Sequence, residues 1–72
     1  MNLSNKIREL RKSRNLTQEQ LAEALCVSPQ AVSKWELGTC YPDMGLIPTL
    51  AYYFNVSLDT LFDFDAERMD RE

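Results

Sequence analysis

The segment Thr17 to Gly38, TQEQLAEALCVSPQAVSKWELG, constrains this chain more than any other. Thr17 with Gln20 three places on is a capping box, so a helix opens there. Leu21, Ala22 and Leu25 recur at helical spacing, and the helix ends near Cys26. Ser28 is the next cap, and Pro29 fits the first helical position, where its missing N–H goes unmissed. Gly38 suits the left-handed residue just past that helix. Only a residue or two, around Cys26 and Val27, joins the two helices. Helices joined so closely cannot lie antiparallel and must cross steeply. Leu21, Ala22, Leu25, Val27, Val32 and Trp35 are then apolar where the two must meet, and the small Ala22 allows close approach.

The rest of the chain reads as three more short helices. Over Leu3 to Asn15, Leu3, Ile7 and Leu10 share one face. Arg8, Arg11, Lys12 and Arg14 occupy the remainder, which reads as a solvated basic face. Thr39 to Pro42 is a loop. Asp43 is then expected to cap a fourth helix running to about Asn55, with Leu46, Ile47, Leu50, Ala51 and Phe54 as its stripe. Pro48 falls about one turn inside that span, which predicts a distorted first turn. Ser57 caps a fifth helix, Leu58 to about Phe64, with Leu58, Leu61 and Phe62 inward. Trp35 reads as core, and Tyr52, Tyr53 and Phe54 as core and interface. No strand survives, so the expectation is an all-α chain of five short helices. Residues 1–66 form the domain, and 67–72 a charged tail that frays.

Seventy-two residues support one small core, for which partners, oligomerisation or well-formed helix packing must supply extra stability. The net charge of −3 conceals an asymmetry. Residues 1–38 carry six basic and four acidic side chains, whereas 39–72 carry two basic and seven acidic ones. The first half can therefore face a polyanion that the whole chain would repel. Cys26 and Cys40 stand without any histidine, which argues against a zinc site and for two reduced thiols. Met1 to Asn15 lacks the apolar centre of a signal peptide, and no run nears the ~20 apolar residues of a membrane span. A soluble, cytoplasmic protein is expected. Catalysis is not: there is no histidine, and neither cysteine has a base partner. No cofactor motif is present.

Two steeply crossed helices, the second protruding, form a helix-turn-helix unit. The run TQEQLAEALCVSPQAVSKWELG resembles the helix-turn-helix core of the phage repressor and Cro-like (XRE) family of bacterial regulators. YPDMGLIPTLAYYFNVSLDTLF is similar to the fourth and fifth helices of that family, so the likeness covers roughly residues 3 to 64. It implies a lambda-repressor-like domain that binds double-stranded DNA sequence-specifically. It further implies that Gln30 and Lys34 face base edges with Ala31 beside them. Gln18, Ser28, Ser33 and Thr39 fall near the phosphates, and Arg11 pairs with Glu36 to join the first and third helices. The chemistry suits those roles. A glutamine amide pairs bidentately with adenine, lysine donates to guanine, and an alanine can meet a thymine methyl. Helix N-termini favour phosphate oxygens. Two positions depart from the family pattern: Cys26 stands where glycine is usual, and Pro29 where arginine or another polar residue is frequent.

Alone, Gln30 and Lys34 would be no more than solvated side chains; their place in this motif is what argues for recognition. A homodimer on a near-palindromic operator is expected, because one small domain offers too little contact surface for tight specific binding. Leu58, Phe62 and Phe64 are its expected interface. The competing expectation is a protein-interaction module, for example the antitoxin of a toxin pair, on the same fold.

Overall fold

Four of the five helices end in the same way, and those endings set the path of the chain. The computed structural model describes residues 3–62. The helices are α1 (Leu3–Ser13), α2 (Gln18–Leu25), α3 (Pro29–Leu37), α4 (Leu46–Phe54) and α5 (Leu58–Phe62). Beyond α1 to α4 stand Asn15, Cys26, Gly38 and Asn55, all at positive φ. In each case the next residue's N–H reaches a carbonyl five residues back: Leu16 to Arg11, Val27 to Ala22, Thr39 to Lys34, and Val56 to Ala51, at 2.9–3.1 Å. This is the Schellman closure, which satisfies carbonyls the helix leaves open. Leu16, Val27 and Val56 then pack on the core, so three of the four reversals are pinned by an apolar side chain.

The starts are equally local. Thr17 Oγ1 accepts from Gln20 N at 3.0 Å, and Gln20 Oε1 accepts from Thr17 N at 2.9 Å, completing the capping box. Ser28 Oγ accepts from Ala31 N, and Ser57 Oγ from Thr60 N. The fourth helix differs from expectation. Asp43 does not cap it; α4 begins at Leu46, with Gly45 before it and no side-chain cap. Asp43 instead contributes its carbonyl, which accepts from Leu46 N at 2.8 Å. The reason is Pro48. In a helix starting at Asp43, its ring would press on the carbonyl four residues back and a bond would be lost. With the start at Leu46, Pro48 lies within the first turn, where an N–H has no acceptor inside the helix. The expected irregularity lies just before Pro48, where Leu46 N and Ile47 N donate to carbonyls only three residues back, those of Asp43 and Met44.

The core draws on every helix: Leu3 and Ile7, Leu21, Ala22 and Leu25, Val32 and Trp35, Leu50, Ala51 and Phe54, and Leu61. Leu58, expected inward, is 47% exposed. It is the first residue of α5 and stays partly at the surface, while Leu61, one turn on, is fully buried. Tyr52, expected in core or interface, is exposed on the outer side of α4. The expected end of α5 near Phe64, and the tail at 67–72, lie outside the described residues. Helix α3 packs against both α2 and α1, while α5 lies on α1 and α4. Among the described residues, no helix is long and apolar enough to cross a membrane.

Cys26 takes the left-handed conformation itself, with φ 61° and ψ 41°. A Cβ is disfavoured there, by about 1 kcal/mol. Its side chain is exposed and unbonded to any other cysteine. Cys26→Gly is therefore expected to raise stability by about 1 kcal/mol, lifting the melting temperature by roughly 4–8 °C in a domain of this size. Thermal denaturation followed by circular dichroism checks this, and an unchanged or lower midpoint contradicts it.

Candidate nucleic-acid interface

Helix α3 separates its residues cleanly by direction. Val32, Trp35 and Glu36 point inward, all at most 6% exposed. Gln30 and Lys34, one helical turn apart, are exposed, and Ala31 and Ser33 are half-buried along their flanks. Ser28 stands exposed at the N-terminal end of α3, its oxygen on Ala31 N and its own O–H left to donate elsewhere. Thr39 stands at the opposite end of the helix. Its hydroxyl donates to the Lys34 carbonyl at 3.3 Å, and its N–H goes to the same oxygen.

Glu36 is the one buried charged residue among those described. Its carboxylate takes Arg11 in fork geometry, Nε on Oε2 at 2.6 Å and Nη2 on Oε1 at 3.1 Å. Arg11 Nη1 donates onward to the Leu16 carbonyl at 2.7 Å, the residue closing α1. Gln18, the first residue of α2, completes the cluster: its Nε2 donates to Glu36 Oε1 at 3.0 Å. One carboxylate on α3 thus ties down α1 and the start of α2. Burial would raise the Glu36 pKa. Hydrogen bonds from Arg11 and Gln18, with the charges of Arg11 and Arg8, outweigh it and hold the carboxyl below its ordinary value. No described buried side-chain nitrogen or oxygen lacks a hydrogen-bond partner.

The helix-turn-helix profile matches residues 7–61. This chain belongs to the Cro/C1-type helix-turn-helix family.

Named relatives of the family agree. The chain is 48% identical over 61 residues to the HTH-type transcriptional activator BcrR of Enterococcus faecalis, covering 85% of this chain and 30% of that protein. It is 35% identical over 63 residues to an uncharacterised HTH-type transcriptional regulator of Methanocaldococcus jannaschii, covering 88% of this chain and 96% of the relative. The solution structure of the SOS-response transcriptional repressor LexA from Eubacterium rectale aligns with a TM-score of 0.77 at 32% identity, over 83% of this chain and 64% of that one. The chain thus spans about 30% of BcrR, and nearly the whole Methanocaldococcus regulator.

Two features of this helix-turn-helix domain escape sequence reasoning. Gln18 is bonded to Glu36 rather than standing alone at a helix start. Arg14, read as part of a solvated face, closes the far end of α4. Its guanidinium donates to the carbonyls of Tyr53 and Phe54, at 3.3 and 2.8 Å, and lies 6.0 and 5.6 Å from their ring centres. Helix α4 has no basic residue in its own last turn, so Arg14 brings the positive charge its C-terminus favours. Arg11 pairs with Glu36, as the family resemblance implies, while Arg8 and Lys12 remain exposed. The Arg14 contacts join residues about 40 places apart, and no local pattern could have signalled them.

Proposed function

We propose that this chain binds double-stranded DNA in a sequence-specific manner and regulates transcription by occupying promoter sites. The observation that carries the reading is the division of α3. Its inner face is locked by Val32, Trp35 and Glu36, while Gln30 and Lys34 project from the outer face with no core role. In this reading α3 enters the major groove. Gln30 and Lys34 pair with base edges, Ala31 meets a base beside them, and Gln18, Ser28, Ser33 and Thr39 lie along the phosphates. Thr39 serves through its position, since its hydroxyl proton is engaged with Lys34. The working form is a homodimer on a near-palindromic operator, with recognition helices ~34 Å apart. Two copies supply the contact area that one small domain lacks.

The test is selection from random duplexes, followed by salt titration of the winning sequence. A palindromic winner and a steep loss of affinity with salt support a dimeric DNA binder. Failure to enrich any duplex, with capture of a protein partner, supports the interaction-module alternative. On the selected site, Gln30→Ala is expected to lose about 1–3 kcal/mol and to relax preference at one base position. Unchanged affinity in a gel-shift titration removes Gln30 from the recognition surface.

A further inference from the structure

We propose that Glu36 is a positioning residue for DNA: it holds the Gln18 side-chain amide in the orientation that meets the phosphate backbone. The inference rests on the DNA-binding reading above and extends it to a residue that never reaches the nucleic acid. Three observations carry it. Glu36 is buried, so it cannot touch a phosphate, and its negative charge would repel one. Arg11 already matches that charge through two N–H bonds, so the Gln18 bond is not needed for neutralisation. Gln18 nevertheless spends one N–H on Glu36 Oε1, at 3.0 Å, from the first position of α2.

That position explains what the bond does. A glutamine amide carries two donors, and the Glu36 bond uses one. The side chain is half-buried, so its second donor is set in direction by an acceptor that is itself clamped by Arg11. Glutamine ordinarily gives up several rotatable bonds of freedom when it grips a ligand. Here that freedom is surrendered on folding, before DNA arrives, which is the sense in which a preorganised contact binds more tightly. The opening N–H groups of α2 lie at the same point and favour the same anion. The ion pair that fastens α3 to α1 therefore also aims the backbone contact of α2. Base reading by α3 and phosphate gripping by α2 share one carboxylate.

The experiment is a cycle read as duplex affinity on the selected operator. Gln18→Ala is made in the natural chain and again in a chain carrying Arg11→Met with Glu36→Leu. The paired replacement removes the anchor while leaving no charge stranded, so the fold is retained; melting curves confirm that each variant is folded before affinity is read. In the natural chain, Gln18→Ala is expected to weaken binding roughly tenfold on all sequences alike. In the paired background the same change is expected to matter less than about twofold. Equal losses in both backgrounds overturn the proposal, as does no loss in the natural chain. Amide NMR of the natural chain gives a second reading that needs no Glu36 variant. One Gln18 side-chain proton should shift on adding duplex, from an amide already ordered in the free protein. An amide as mobile as that of Gln30 before DNA is added also overturns it. If the random pool yields no bound duplex, the DNA-binding reading falls and this proposal falls with it; a bound duplex without coupling sinks the proposal alone.

Discussion

Glu36→Ala is expected to remove most of this protein's folding stability. Breaking a buried ion pair from one side strands the other charge, a loss of about 3–5 kcal/mol. The stranded partner is Arg11, whose side chain is only 12% exposed, and Gln18 loses its acceptor as well. A chain of 72 residues has on the order of 5 kcal/mol of total stability, so the deficit consumes most of it. Urea denaturation followed by circular dichroism measures the effect. A variant that unfolds at the same urea concentration as the natural chain rules out a structural role for the pair. Removing both charges is a different matter. Arg11→Met with Glu36→Leu replaces the pair by apolar side chains of similar length, and the penalty should shrink to ~1 kcal/mol or vanish. The pair also makes stability depend on acidity. The folded Glu36 carboxyl titrates below its ordinary value. A carboxyl depressed by folding stabilises above its unfolded pKa, about 4.3, and that share disappears as pH falls through the folded value. The natural chain should therefore lose more stability between neutral pH and about pH 3 than the doubly replaced one. An equal loss would place the acid sensitivity elsewhere.

Trp35→Ala is the other change with a large expected effect, about 3–5 kcal/mol. Trp35 is 4% exposed and lies among the buried residues that join α3 to the rest of the domain. Alanine would leave a cavity that neither helix can close, because the Gly38 and Ser28 ends of α3 are both held by hydrogen bonds. The outer face of α3 is displayed by what its inner face grips, so DNA affinity should fall with stability. Trp35→Phe retains most of the packing and should lose far less of both. Circular dichroism is the measurement, since the only tryptophan signal goes with the substitution. An alanine variant with an unchanged melting curve would place Trp35 outside the core.

Much of the domain is legible in residue order because its decisive interactions span only three to five residues. Thr17 with Gln20, Ser28 with Ala31, and the four left-handed closures at Asn15, Cys26, Gly38 and Asn55 are all of that kind. Apolar spacing in the same stretches points Val32 and Trp35 inward, and leaves Gln30 and Lys34 outward. The start of α4 falls at Leu46 rather than at the expected Asp43 because two local signals compete there, a cap-forming aspartate and a proline that admits only an early position. The proline wins, because a missing cap costs about 1 kcal/mol and an interior proline ~3 kcal/mol. Leu58 shows a second limit: an apolar residue at a short helix's first position has no second turn to commit its direction.

Residue order therefore settled the caps that open α2, α3 and α5 and, through apolar spacing, which side chains α3 turns outward, since both are decided within a turn or two. Folding in three dimensions decided the rest. Arg11 and Arg14 look alike along α1; the family resemblance names Glu36 as the partner of the first, but only the packed helices bring the second to the carbonyl end of α4. Gln18, a polar residue at a helix start, acquires its orientation from the same carboxylate eighteen positions later. A charge takes whichever partner the packed helices bring within reach, and that neighbour is set by how helices cross rather than by their spacing along the chain.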